Sequence, residues 1–233
     1  MIASLGVAGA LTGLGGLAAL YAAPYVSKYA ERGRLRERCL RQRAIALTYD
    51  DGPSREVTPR LLDLLARHRA PATFFLRGDN ATANPDLAER IVREGHEVGC
   101  HSARHLHAWK RSPWSVTQDM LEGYRLLSPW ITRRALYRPP FGKPCLPVLW
   151  MLRRQGSRMA WWTLDSGDTL PTRMPIDQVV AAAAGGGVVL MHDWKRNLGN
   201  HGEHVLEMTD RLLALASREG LAVKRFGDLY TQS

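Results

Sequence analysis

Asp50 and Asp51 stand side by side where the apolar run Ala44-Ile45-Ala46-Leu47-Thr48-Tyr49 ends, and Gly52-Pro53 turns the chain directly after them. Two carboxylates this close are costly unless a cation lies between them or one acid keeps its proton. A divalent metal supplies such a charge. Candidate partners occur further along, in Cys100-His101-Ser102-Ala103-Arg104-His105. Histidines at i and i+4 fall on one face of a helix or tight turn, so two imidazoles can grip one ion. With one carboxylate from the first turn they form a two-His, one-carboxylate set with open positions. That set suits a catalytic Zn²⁺ and is also compatible with Fe²⁺, Co²⁺, Ni²⁺ or Mn²⁺.

Three more segments carry reactive groups at the ends of apolar stretches. Arg138-Pro139-Pro140-Phe141-Gly142 sets a fixed cation beside a rigid turn. Trp161-Trp162-Thr163-Leu164-Asp165-Ser166-Gly167-Asp168 ends in two acids, and Gly187-Val188-Val189-Leu190-Met191-His192-Asp193 ends in a histidine. Asp, His, Arg, Asp and His at successive strand ends describe convergence on one site rather than scattered turns.

The elements that must deliver these groups follow from the alternation of patterns. Strand-like runs occur near 44–49, 72–76, 97–101, 136–138, 159–164, 187–191 and 221–226. Between them lie helical patterns from Val57 to His68, Pro85 to Glu94, Pro113 to Leu127, Pro147 to Arg154, Pro175 to Ala184 and Glu203 to Glu219. Pro at or near a first turn suits a helix start, because the missing N–H was not needed there. Repeated β-α units imply a parallel sheet, and chemistry at successive strand ends implies barrel-like curvature. The length from 44 to 233 suffices for one such core.

In this order the five segments resemble the NodB-homology polysaccharide deacetylases, the fourth carbohydrate esterase family, from about Ala44 to about Phe226. The resemblance implies an irregular (β/α) barrel of parallel strands, about seven in number. It also implies metal-dependent hydrolysis of the N-acetyl amide of amino sugars, in a glycan or a lipid-linked sugar. Carried over by residue, Asp51, His101 and His105 are the expected metal ligands, Asp50 the base and Arg138 the residue that orients it. His192 is the expected general acid and Asp165 the carboxylate that supports it. Phe141 stands where the family usually has Tyr, whose backbone N–H helps hold the oxyanion; a backbone donor survives the change. Thr169 stands where the family commonly has Trp, leaving Trp161, Trp162 or Trp194 to rebuild the sugar wall. A deformylase of a lipid-linked sugar and a catalytically silent carbohydrate-binding relative are the alternative readings.

The chemistry required by amide hydrolysis agrees with that carry-over. Water must attack an unactivated amide, and a poor amine leaving group must be protonated. A metal activates water and polarises a carbonyl. A carboxylate beside it can take the water's proton, and a histidine raised by a neighbouring acid can return one to nitrogen.

The first forty-three residues read differently. Ile2 to Ser27 has no charged side chain and is long enough to span a bilayer, so residues 1–27 are expected to form a membrane anchor. Gly9 and Gly13 have the spacing of close-packing helices. Residues 28–43 then hold seven basic and two acidic side chains, half of the formal net charge of +10. The positive-inside rule puts the following catalytic domain, 44–233, in the cytoplasm, with the basic run against anionic head groups, and an exported domain is the alternative. With the excess charge concentrated there and no aromatic-basic stripe elsewhere, nucleic acid is not an expected partner. Cys39, Cys100 and Cys145 are odd in number and form no C-x-x-C, which argues against a disulfide framework. His68, His96, His107, His201 and His204 have no expected catalytic role.

Overall fold

The computed structural model describes residues 2–194 and 200–231, with side chains from Leu20 onward, Ala23 excepted. At its centre is β1 (Ala44–Asp50), buried along its whole length. It lies parallel between β2 (Thr73–Leu76) and β5 (Gly187–His192). Strands buried on both sides read as continuous apolar runs, as these do. The sheet continues through β3 (Glu97–Cys100) beyond β2 and through β4 (Leu164–Asp165) beyond β5, while β6 (Ala222–Val223) pairs with the start of β1.

Regular pairing lapses between β3 and β4. Single parallel bridges, Cys100 to Tyr137 and Tyr137 to Met159, cross that gap. The run at 136–138 therefore contributes one bridging residue instead of a strand. Pro139 and Pro140 follow at once, and neither has an N–H to extend a ladder. The result is an α/β fold with an irregular, curved parallel sheet.

Helices pack around the sheet. They are α1 (Ile2–Gln42), α2 (Thr58–Arg67), α3 (Gly78–Ala83), α4 (Pro85–Arg93), α5 (Pro113–Leu126), α6 (Leu146–Gln155), α7 (Ile176–Ala182) and α8 (His201–Glu219). The six-residue α3 has no counterpart in the sequence pattern, being too short to display a period. Leu61, Leu62 and Leu65 of α2 and Met208 and Leu212 of α8 share one core with Ile45, Leu47 and Tyr49. The alternate residues Ala44 and Ala46 face inward, with Phe75, Trp161, Trp162, Val188 and Leu190. Period-two alternation thus directs Thr48 and Asp50 to the inner face as well. Cys39, Cys100 and Cys145 are buried free thiols.

The N-terminal expectation requires correction. Among the described residues no helix is long and apolar enough to cross a membrane, which overturns the single-pass anchor and leaves the membrane as partner and the cytoplasmic placement without their basis. Most of the 1–27 segment, with the Gly9/Gly13 pair, lies outside the residues whose side chains are described. The described part of α1 already carries Lys28, Glu31 and Arg32, and it is docked. Leu35 and Cys39 join the inner core cluster. Arg32 donates to Thr163 O at 3.4 Å and Arg38 to Leu229 O at 3.2 Å. The basic segment is part of a helix packed on the domain.

Candidate active site

β1 and β5 end level, with Asp50 opposite His192 in the register. The turn after β1 is braced from beneath. Thr58 Oγ1 donates to Asp193 Oδ2 at 2.6 Å, Ser54 Oγ to the Asp193 carbonyl at 2.7 Å, and Asp193 N to Asp50 O at 3.2 Å. A Cβ at Gly52 would lie 2.2 Å from the Asp193 carboxylate, so only glycine permits that closeness. Asp51 adopts a φ of 73°, which swings its carboxylate away from the strand direction and toward the histidines.

His101 continues β3, and His105 follows after a turn in which Ser102 and His105 both have positive φ. The turn is pinned by Ser102 Oγ accepting from His105 N at 3.0 Å and by buried Asp119, which accepts from Arg104 N and Leu106 N. Asp51 Oδ1 is 3.3 Å from His105 Nε2 and 3.6 Å from His101 Nε2. The three residues each offer one ligand atom within 4.8 Å of the others. Ligands held at about 2.0–2.2 Å from a tetrahedral ion are separated by about 3.3–3.6 Å, so the donor set fits a small divalent cation. His101 Nδ1 faces the Arg138 carbonyl at 2.7 Å, which directs its proton there and leaves Nε2 as the lone-pair donor. Burial holds the His101 imidazolium down to about 4, so the ring is neutral and able to ligate.

Arg138 is wholly buried, its guanidinium 4.0 Å above the Phe75 ring. Its Nη1 donates to Asp50 Oδ1 and to Thr48 Oγ1, both at 2.8 Å. Burial raises the Asp50 carboxyl, and the Arg138 charge opposes that rise. Asp50 Oδ2 is 3.7 Å from His101 Nε2, which places the carboxylate beside the ligand cluster.

Opposite lies His192, and here the structure departs from the sequence expectation. The imidazole is held by Asp168, not Asp165. His192 Nδ1 meets Asp168 Oδ1 at 2.9 Å, and His192 N donates to Asp168 Oδ2 at 2.8 Å. Asp165 is exposed, and its Oδ1 accepts from Gly167 N at 3.0 Å. Gly167, at φ 64°, reverses the chain and returns Asp168 beneath His192. Burial lowers the imidazole, but Asp168, with Asp51 and Asp50, outweighs it and raises His192 to about 9. Burial would raise Asp168; the charge and hydrogen bonds of His192, with His201 nearby, hold it far below the usual carboxylate range. His201, passed over in the sequence, is buried at the start of α8 with Nε2 3.4 Å from Asp168 Oδ2. Its only sequence signal was the helix-start position.

Asp50, His101, His105, Phe141, Asp165 and His192 line one cavity of about 230 Å³. Asp51 and Arg138 touch it through His105 and Asp50. All eight residues chosen from the sequence are therefore brought together, with Asp165 on the wall rather than at His192. Phe141, at φ 57°, sits in the tight turn Pro140–Gly142 at the mouth and is 51% exposed. Thr169 also lines the cavity, and of the three candidate tryptophans Trp162 does so too.

Residues 37–160 match the polysaccharide deacetylase family. The chain is 35% identical over 156 residues to a peptidoglycan-N-acetylglucosamine deacetylase of Bacillus cereus, covering 65% of this chain and 73% of that protein. It is likewise 35% identical over 158 residues to a chitooligosaccharide deacetylase of a Bradyrhizobium species, covering 65% and 71%. Among solved structures, the Bc1960 peptidoglycan N-acetylglucosamine deacetylase superposes with a TM-score of 0.72 at 27% identity, covering 82% of this chain and 90% of that one. With its fold, its strand-end residues and its sequence all in agreement, the chain belongs to the polysaccharide deacetylase family, hydrolases of non-peptide carbon–nitrogen bonds.

Proposed function

We propose that the chain, through residues 44–233, removes the N-acetyl group from amino sugars of a glycan, with Asp50 as base and His192 as acid. The relatives named for peptidoglycan N-acetylglucosamine and for chitooligosaccharides favour a glycan of N-acetylglucosamine as substrate. The observation that carries the reading is the placement of Asp50 and His192 on adjacent strand ends, flanking the Asp51–His101–His105 cluster.

Asp51, His101 and His105 would hold a divalent cation, best matched to Zn²⁺, which when bound supplies an activated water and a polarised carbonyl. Asp50 takes the proton of the attacking water, because Arg138 aims its Oδ1 side and leaves Oδ2 toward the cluster. The Phe141 backbone N–H is the proposed donor to the oxygen on which charge develops. His192, kept protonated by Asp168, gives its proton to the departing nitrogen and so releases a free amine. Atoms balance: one water is consumed, and acetate and an amino sugar are formed.

The test is incubation of the purified chain with N-acetylated and N-formylated glycans, with new amines detected by mass spectrometry. Amine from the N-acetyl substrates is expected. Release confined to the N-formyl set would replace this reading with the deformylase, and no release from either would replace it with a silent binding protein.

A further inference from the structure

The run Pro139-Pro140-Phe141-Gly142-Lys143 at the cavity mouth is poor in backbone donors. Its two prolines have none. Gly142 N is spent on Pro139 O at 3.0 Å, and Lys143 N on Pro140 O at 3.1 Å. Among the described residues Phe141 N has no acceptor, so it is the donor that this turn keeps uncommitted. It belongs to a non-glycine residue at φ 57°, a conformation that L-residues hold only where their surroundings enforce it. The Phe141 ring is held by His105 and His107, at 4.4 and 4.6 Å between ring centres. The backbone of the turn is held by Lys28 of α1.

Lys28 is buried, and its Nζ donates to the Gly142 carbonyl at 3.5 Å. The same Nζ lies 4.8 Å from the centre of the Trp162 ring, 5.3 Å from Tyr25 and 5.5 Å from Trp161. Aromatic faces attract a cation, most strongly where water is excluded. Three rings and one carbonyl thus enclose the ammonium. A Cβ at Gly142 would come within 2.9 Å of Nζ and 2.7 Å of the Trp162 ring, so helix and turn fit closely. Gly142 and Trp162 both line the catalytic cavity. Methionine could fill the same aromatic space without burying a charge, which is costly. The ammonium adds what only a cationic donor can, a directed bond to the turn. Lys28 also lies before residue 37, where the family match begins.

We infer that Lys28 is a positioning residue for the reaction: it holds the Pro140–Gly142 turn so that the Phe141 N–H stays set for the developing oxyanion, which makes α1 a working part of the active site. The inference rests on the deacetylase reading for its catalytic consequence. An oxyanion donor acts by standing in place before charge develops, so its effect depends on a rigid support. Lys28 acts through the turn and is not itself a catalytic group.

The experiment measures kcat and KM of the full chain on one N-acetylglucosamine oligomer, for the native protein and Lys28→Met, with urea unfolding of both. Methionine keeps the reach and apolar fit of the side chain but offers neither charge nor donor. In Lys28→Met kcat should fall by about 10–100-fold, less than the roughly 10²–10³ of a donor removed outright. KM should stay within about twofold and the unfolding midpoint should hardly move, since the turn is loosened while the substrate's binding contacts remain. An unchanged kcat, or a loss confined to KM, overturns the role. If Lys28→Met fails to fold, Lys28→Gln, too short to reach the carbonyl, is read by the same criteria. Hydrogen exchange of the amides of 140–145, followed by mass spectrometry, gives a readout independent of turnover. Exchange there should quicken in the variant while β1 exchanges as in the native chain; equal rates overturn the clamp. If the native chain releases no amine, the deacetylase reading falls, and this exchange alone decides whether Lys28 holds the turn.

Discussion

His192 Nδ1 and Asp168 Oδ1 lie 2.9 Å apart, across the space between the end of β5 and the turn that follows β4. This pairing sets the protonation of the proposed acid. Asp168 is fully buried, so its charge acts on the imidazole with little screening by water.

The pH dependence of turnover should therefore respond to Asp168 and not to Asp165. The acid must carry its proton, so a raised His192 extends activity upward, with loss as pH climbs through about 9. Asp168→Asn removes the charge that opposes burial. The alkaline limb should move to lower pH by about 1–3 units. Asp165→Asn should leave the limb in place. Profiles of kcat/KM against pH for both variants decide this, and a shift with Asp165→Asn alone would restore the assignment made from the sequence.

Asp50 and Asp51, though adjacent, should fail differently. Asp50→Asn keeps an oxygen for Arg138 but cannot take a proton, so turnover should fall by about 10²–10⁴ while bound metal stays. Asp51→Asn replaces an anionic ligand with a neutral one, and metal should be lost along with turnover. Metal content by atomic emission beside kcat separates them. Equal metal loss in the two would show that the roles are wrongly divided.

Chelation should abolish amine release, and added Zn²⁺ or Co²⁺ should restore it. His101→Ala should resist restoration, because it removes a neutral buried ligand whose Nδ1 is already committed to Arg138 O. Undiminished activity in protein stripped of metal would end the proposed mechanism.

Gly123 of α5 tests the support of the histidine turn. A Cβ there would lie 2.5 Å from the Ser102 carbonyl carbon and 2.9 Å from Ala103 N, both backbone atoms unable to yield cheaply. Gly123→Ala should cost about 1–3 kcal/mol of stability by overpacking. It should also weaken metal binding, because His101 and His105 flank the displaced residues. Urea unfolding and a metal titration measure the two effects; a change in neither would mean the helix and turn are not held that close.

Much of this molecule can be read locally. A strand that is buried on both faces shows as an apolar run, and a charged group ending such a run stands out because it interrupts the pattern. Asp50, Asp51, His101, Arg138 and His192 announce themselves that way, and the prolines of α2, α4, α5 and α6 mark helix starts. Local pattern was therefore enough to establish the α/β class, the family and the set of residues that converge.

What it left open depends on the path of the chain in space. The choice between Asp165 and Asp168 turns on a left-handed Gly167 that folds the later acid back under β5, and strand periodicity carries no information about a turn of that kind. The same holds for the N-terminal segment. Its uncharged stretch and following basic cluster match a membrane anchor as local patterns. Leu35, Cys39 and buried Lys28 show instead a helix from residue 28 on whose partners, Phe226, Gly142 and Trp162, lie more than a hundred residues away in the chain. Burial of one element against another distant in sequence is a property of tertiary packing alone, and composition cannot reveal which surface a helix will find.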